Sequence, residues 1–214
     1  MKLMLFAPEL WLLLGSLLIF GMSLGKSSGP WARNTTLGVA VVALLLTLAS
    51  MGQQGELFFS AYRVDFFSQL FKAIITLGFC VVLVFARDLK DIDQEVRPEY
   101  FLFQLLSVLG LVMLVSSVEL LTIFIALELS SYALYLLVPM RSERGGLHSQ
   151  MESAVKYILF GVVATGVMLF GMSYLFGLTG TTYLSELLPQ LRQMATEPAV
   201  LVGVAMVMGG FFFK

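Results

Sequence analysis

The chain is 214 residues long, 58% hydrophobic and only 13% charged, with a formal net charge of −1. Soluble domains carry about 25% charged residues, and a mean hydropathy of +0.91 places this chain among membrane proteins. The balanced charge excludes a basic nucleic-acid face, while a single cysteine and a single histidine exclude a disulfide framework and a metal site built on several histidines.

A membrane-crossing helix needs about 20 predominantly apolar residues. Residues 3–24 form the first such run and 35–51 the second. The third, 68–86, is interrupted by Lys72 and contains Cys80, which reads as a small packed hydrophobe. Runs 100–117 and 120–138 follow with almost no loop between them. The sixth is 154–176, and the seventh starts at Pro198, a residue suited to a first helical turn. The connectors 25–30, 87–98 and 141–150 are polar and turn-forming. The first run is long and lacks a small-residue cleavage site, so it reads as a span rather than a signal peptide. The expected fold class is an all-α membrane protein, a polytopic bundle of about seven spans. The last apolar run stops at Lys214 without a polar flank, which predicts a fragment, or the ordered part, of a longer chain.

Lysine and arginine bias sets orientation. Lys26, Arg33, Arg87, Lys90, Arg97, Arg141 and Arg144 fall on one side; Lys2, Arg63 and Arg192 fall on the other. The bias predicts that loops one, three and five are cytoplasmic and that the N-terminus is outside. The connector 177–197 repeats leucine at 184, 187, 188 and 191. That spacing fits a short helix along the interface, which Pro189 would bend or divide, or a leucine-lined loop packed on the bundle.

Five charges fall within the spans: Glu9, Lys72, Glu128, Lys156 and Lys214. Each costs several kcal/mol at the bilayer centre unless paired, neutralised or hydrated. Glu128 is near the middle of the fifth span, with Ser131 and Tyr132 on its helix face to hold water or hydrogen bonds. It reads as a proton-carrying carboxylate or as a structural pair fixing helix packing. Lys156, about two turns into the sixth span, reads as a lysine that takes up and releases a proton with Glu128 as its partner, or as one that snorkels. Glu152 lies at i,i+4 spacing from it. Lys214 is too deep to snorkel easily and reads as functional. For Lys72 snorkelling is the expectation, and for Glu9, beside Pro8 in a first helical turn, the helix dipole is a sufficient account. Gly161, Thr165 and Gly166 allow close helix packing. Gly209 and Gly210 either do the same or loosen the helix beside Lys214.

The segment Leu120-Leu121-Thr122-Ile123-Phe124-Ile125-Ala126-Leu127-Glu128-Leu129-Ser130-Ser131-Tyr132 resembles the fifth helix of the antiporter-like subunits of respiratory complex I. Glu152-Ser153-Ala154-Val155-Lys156-Tyr157 resembles the start of their sixth, and Gly209-Gly210-Phe211-Phe212-Phe213-Lys214 the segment that ends at their central lysine. Pro8-Glu9 and the first three spans fit the N-type members best. The resemblance covers the whole chain and is most specific from Tyr100 onward.

The resemblance implies the N-terminal half of an antiporter-like fold with inverted repeats: helices one to three over 1–99, and helices four to seven of the first repeat over 100–214. It implies proton transfer by Glu128, Lys156 and Lys214, in a subunit coupling electron transfer elsewhere to proton pumping across a bacterial inner membrane. No cofactor is expected in this chain; NADH, flavin, iron–sulfur clusters and quinone would be on other subunits. The partners implied are the lipid bilayer and neighbouring antiporter-like and small membrane subunits. Two other classes remain open: a subunit of a cation/proton antiporter or membrane-bound hydrogenase, and a structural membrane anchor.

Overall fold

A computed structural model describes residues 2–25, 29–86, 89, 91–140 and 147–214. Lys26, Arg87, Lys90, Arg141 and Arg144, which carry part of the orientation argument, lie outside the described residues, as does the side chain of His148.

Among the described residues, eight α-helices and one small hairpin are formed. In order these are α1 (Ala7–Ser23), α2 (Gly29–Ala49), β1 (Gly55–Leu57), β2 (Tyr62–Val64), α3 (Phe66–Phe85), α4 (Arg97–Ser116), α5 (Leu120–Leu137), α6 (Leu147–Thr179), α7 (Leu184–Gln193) and α8 (Pro198–Phe213). Six helical segments among the described residues are long and apolar enough to cross a membrane, and Pro198–Phe213 is a shorter apolar helix. The seventh expected span is therefore present as a helix of 16 residues, about 24 Å long.

Helix starts follow local chemistry. Asp65 caps α3 by accepting from the Ser68 backbone N–H at 2.8 Å, while Ser68 Oγ accepts from the Asp65 N–H at 2.9 Å. This reciprocal box satisfies two otherwise orphaned donors. Glu119 caps α5, and Pro8, Pro98 and Pro198 sit in the first turns of α1, α4 and α8, where a missing N–H costs nothing. Within the spans, Thr36, Thr47, Thr76 and Ser131 donate to carbonyls one turn back. In lipid such groups must find internal partners.

Hydropathy does not reveal the hairpin. β1 pairs antiparallel with β2, Glu56 opposite Arg63 and Leu57 opposite Tyr62. Three-residue strands give no alternation long enough to read. At its tip Phe58, Phe59 and Ser60 all have positive φ, between 53° and 66°, an unusual conformation for bulky residues. The hairpin sits where α1, α3 and α5 begin. Tyr62 bridges to Ser117, Glu119 bridges to Tyr183, and the Val118 N–H donates to the Ala61 carbonyl. The short α4–α5 link is thus held as extended backbone between the hairpin and the segment before α7.

Among the described residues, two large apolar clusters fill the interior, with a small third one of Leu5, Tyr62 and Val64 at the hairpin. One joins α1 to α4 through residues such as Leu12, Ile19, Leu83, Phe101 and Leu105. The other joins α5 to α8 around Leu127, Met168, Met172, Leu187 and Leu191. Leu187 and Leu191 hold α7 against the bundle, so the leucine-rich connector is a helix, and it runs through Pro189 as one element. Leu14, Leu17, Phe67, Phe71 and Phe160 point outward, as a lipid-facing surface requires. At Gly110 an added Cβ would come within 2.5 Å of Ser130 N and 2.8 Å of Ala126 O, so only glycine permits this close approach of α4 to α5.

Candidate functional site

The charges within the spans are not scattered. Four of the five collapse into two buried pairs, and the fifth remains at the edge.

The first pair joins Glu128 to Lys214. Glu128 is on the inward face of α5, and Lys214 follows directly on α8. Lys214 Nζ donates to Glu128 Oε1, and the two side chains are only 5% and 7% exposed. Thr165 on α6 donates to the same oxygen at 2.9 Å. Its hydroxyl also lies 3.0 Å from the Gly161 carbonyl, so it stays tied to its own helix. Glu128 Oε2 is buried without a hydrogen-bond partner. The carboxylate therefore has one oxygen fully engaged and one available for water or a proton.

The neighbours expected for Glu128 differ from those found. Ser131 donates to the Leu127 carbonyl at 2.9 Å, and the exposed Tyr132 packs edge-on against Tyr135. Lys156 pairs with Glu152 on its own helix instead, and its side chain is 63% exposed. The i,i+4 geometry dominates there because both groups stay at the chain's surface. The helix α8 passes unbroken through Gly209 and Gly210. Gly210 packs where a Cβ would meet the Ala164 carbonyl at 2.8 Å, so this glycine serves packing against α6, whereas a Cβ at Gly209 would meet nothing within 4 Å.

The second pair was not expected. Lys72 Nζ lies 2.6 Å from Glu9 Oε1, and both side chains are completely buried. Lys72 does not snorkel, and Glu9 does more than face a helix dipole. Tyr62 Oη donates to Glu9 Oε1 at 2.6 Å, and Lys72 Nζ lies 5.0 Å from the Tyr62 ring centroid. Burial, followed by the Glu9 charge and the hydrogen bond to it, pushes the Tyr62 phenol well above its ordinary range, so it remains a proton donor to the carboxylate at neutral pH. Each residue alone has a local explanation in the sequence. The signal that reveals the pair is their sum: one acid and one base, both at membrane depth, near helix starts that share a face. Thr165 is likewise a Glu128 ligand that the sequence presents only as a packing residue.

At the start of α5, the buried Glu119 accepts through Oε2 from both the Thr122 N–H and hydroxyl at 2.7 Å. Burial pushes this carboxyl up, but hydrogen bonds from Thr182 and Thr122 outweigh it and hold the group below its usual value. Among the described residues no cluster of His, Cys, Asp and Glu could hold a metal ion.

These features match known proteins. Residues 117–214 match the family described as NADH:quinone oxidoreductase/Mrp antiporter, TM. The chain is 47% identical over 209 residues to NADH-quinone oxidoreductase subunit N 2 of Opitutus terrae, covering 98% of this chain and 44% of that protein. It is 37% identical to the protein of the same name from Syntrophobacter fumaroxidans, covering 100% and 45%. It thus spans less than half the length of these relatives. Among solved structures it matches respiratory complex I from Thermus thermophilus with bound aureothin, with a TM-score of 0.76, 26% identity, and 95% and 42% coverage. The Mrp complex from Dietzia matches at a TM-score of 0.75 and 18% identity, covering 98% of this chain and 40% of that one, a likeness of fold. The chain therefore belongs to the antiporter-like, subunit N family of NADH:quinone oxidoreductase membrane subunits.

Proposed function

We propose that this chain carries protons in the membrane arm of a bacterial NADH:quinone oxidoreductase, with Glu128 and Lys214 as the central proton-bearing pair. The observation that carries the reading is the pair itself. A glutamate and a lysine meet in the bundle interior, where an unpaired charge is costly, and one carboxylate oxygen is left without a partner.

The pair works by competition for one carboxylate. While Lys214 donates to Glu128 Oε1, its ammonium form is stabilised by the opposite charge. When charge or hydration nearby changes and the two separate, the lysine loses that partner in a low-dielectric setting. It then releases its proton to water at the site, and it recovers one when the pair re-forms. Thr165 holds the carboxylate towards α6 during the exchange. Lys156 stands nine positions from Thr165, about 13 Å along α6 towards the opposite face from the hairpin. With Glu152 it forms an exposed pair suited to delivering protons from that side. The basic residues of that side support its being cytoplasmic, with the N-terminus and hairpin outside. Residues 100–214 form helices four to seven of the first repeat in this reading. Electron transfer through NADH, flavin, iron–sulfur clusters and quinone takes place on other subunits.

The test is proton pumping in membrane vesicles carrying Glu128→Gln in the intact complex, with quinone-reductase activity and assembly followed in parallel. Strong loss of pumping in an assembled complex supports the proposal. Normal pumping with normal assembly overturns it.

A further inference from the structure

The Glu9–Lys72 pair has features that a purely structural ion pair does not need. Glu9 Oε2 and Gln69 Nε2 are buried without hydrogen-bond partners, and the buried Ser116 hydroxyl lies against that of Tyr62. Gln69 lies one turn before Lys72 on α3, and the Tyr62–Ser117 bridge brings Ser116 alongside Tyr62. Buried polar atoms of this kind are the usual ligands of internal water, which makes about three hydrogen bonds. The surroundings are otherwise closed: Tyr62 is 1% exposed and Lys72 and Glu9 are not exposed at all.

The site has one short way out. Tyr62 belongs to the hairpin, and its neighbour Arg63 is half exposed and paired with Asp65 at 3.7 Å. Phe58 and Phe6 pack edge-on against each other and against the Tyr62 ring. The three positive-φ residues at the tip turn Phe58 into this clasp. Strained backbone of this kind persists where surrounding structure imposes it. Depth also matters. Lys72 is six positions into α3 and Glu128 eight into α5, about 9 and 12 Å from their helix starts. Both helices start beside the hairpin. The two pairs therefore stand at similar depth, and α4 packs against α1, α3 and α5, the helices that carry Glu9, Lys72 and Glu128.

We propose that Glu9, Lys72 and Tyr62 form a second buried proton-binding site, holding water at its orphaned atoms and reached from the hairpin face past Tyr62. Its ligand is a proton delivered by water. Hydronium gives its proton to Glu9 Oε2 and leaves as water, and the reverse step returns the proton. Lys72 keeps the site electrically balanced while Glu9 is ionised. The Tyr62 hydroxyl, donating to Oε1, leaves Oε2 as the free acceptor. The inference rests on the proton-carrying reading for its purpose, while its geometry stands apart from Glu128 and Lys214.

The test uses the intact complex in proteoliposomes and redox-induced infrared difference spectra, in H2O and D2O, for wild type, Glu9→Gln and Tyr62→Phe. Tyr62→Phe keeps the ring in the aromatic clasp and removes only the hydroxyl. The expected result is a deuterium-sensitive carboxyl band that vanishes in Glu9→Gln and shifts in Tyr62→Phe, while a band removed by Glu128→Gln persists in both. Spectra of both variants superimposing on wild type would make the pair a static brace and overturn the proposal. Should Glu9→Gln fail to assemble, Tyr62→Phe decides alone, by a shifted or an unshifted band. Failure of the proton-carrying reading has a different signature: Glu128→Gln that pumps normally, whatever the Glu9 band does.

Discussion

Lys214 and Glu128 are 86 positions apart in sequence and share one hydrogen bond in the bundle interior. Their union has an energetic consequence that separates stability from function. Removing one member of a buried pair leaves the other charge uncompensated, at about 3–5 kcal/mol, while replacing both by neutral groups of similar size is close to neutral. Lys214→Met and Glu128→Gln alone should each lower the thermal stability of the purified complex. The double variant should regain most of it and still fail to pump. A double variant destabilised by the sum of the two single losses, measured by thermal unfolding, would show that the pair contributes no interaction energy.

Thr165 offers a finer probe because it touches the same oxygen as Lys214. A hydrogen bond to a charged group contributes about 1.5–3 kcal/mol, so Thr165→Val should reduce coupled pumping by about tenfold or more without preventing assembly. Thr165→Ser keeps the hydroxyl and should restore most of the rate. Equal rates for the valine and serine variants would exclude the hydroxyl from proton transfer.

How much of this was legible in the sequence depended on the range of the interaction. The spans were plain because the hydrophobic requirement of lipid is local and continuous. Glu128 and Lys214 stood out because a charge inside such a run is itself a local anomaly. Partner choice was not legible. Glu9 and Lys72 each had a sufficient one-helix explanation, and only the packing of α1, α3 and the hairpin joins them. For Lys156 the sequence offers two partners, Glu152 at i,i+4 spacing and Glu128 at a distance, and the local one is the partner found. The hairpin escaped because two three-residue strands owe their existence to backbone pairing with the α4–α5 link, a contact no periodicity encodes.

Close packing of α4 on α5 gives a contrast between two glycines. Alanine at Gly110 must displace backbone atoms, Ser130 N at 2.5 Å and Ala126 O at 2.8 Å. Overpacking of this kind costs about 1–3 kcal/mol. Because Ser130 is two residues from Glu128, the displacement should also weaken pumping. A Cβ at Gly166 meets nothing within 4 Å, so Gly166→Ala should be neutral or slightly stabilising, Ala being the better helix former by about 1 kcal/mol. Thermal unfolding and assembly yield of the two variants check the difference, and equal destabilisation would contradict the packing described here.

The cap of α5 carries a pH dependence of definite sign. Glu119 is held below the usual carboxylate value of 4.5 because hydrogen bonds from Thr182 and Thr122 outweigh the effect of burial. A carboxylate with a depressed folded value contributes stability that is complete above its unfolded value and disappears as pH falls through the folded one. The contribution should therefore be constant from neutral pH down to about 4.5 and fade in more acidic solution. Glu119→Ala removes an N-cap, at about 0.5–2 kcal/mol, and loosens the α4–α5 link bridged to Tyr183. The stability gap between wild type and Glu119→Ala, followed by thermal unfolding at stepped pH, should be widest near neutrality and close below 4.5. A gap unchanged into strong acid would mean that the side chain stabilises α5 through packing and not through its charge, because protonation removes the charge while leaving the shape intact.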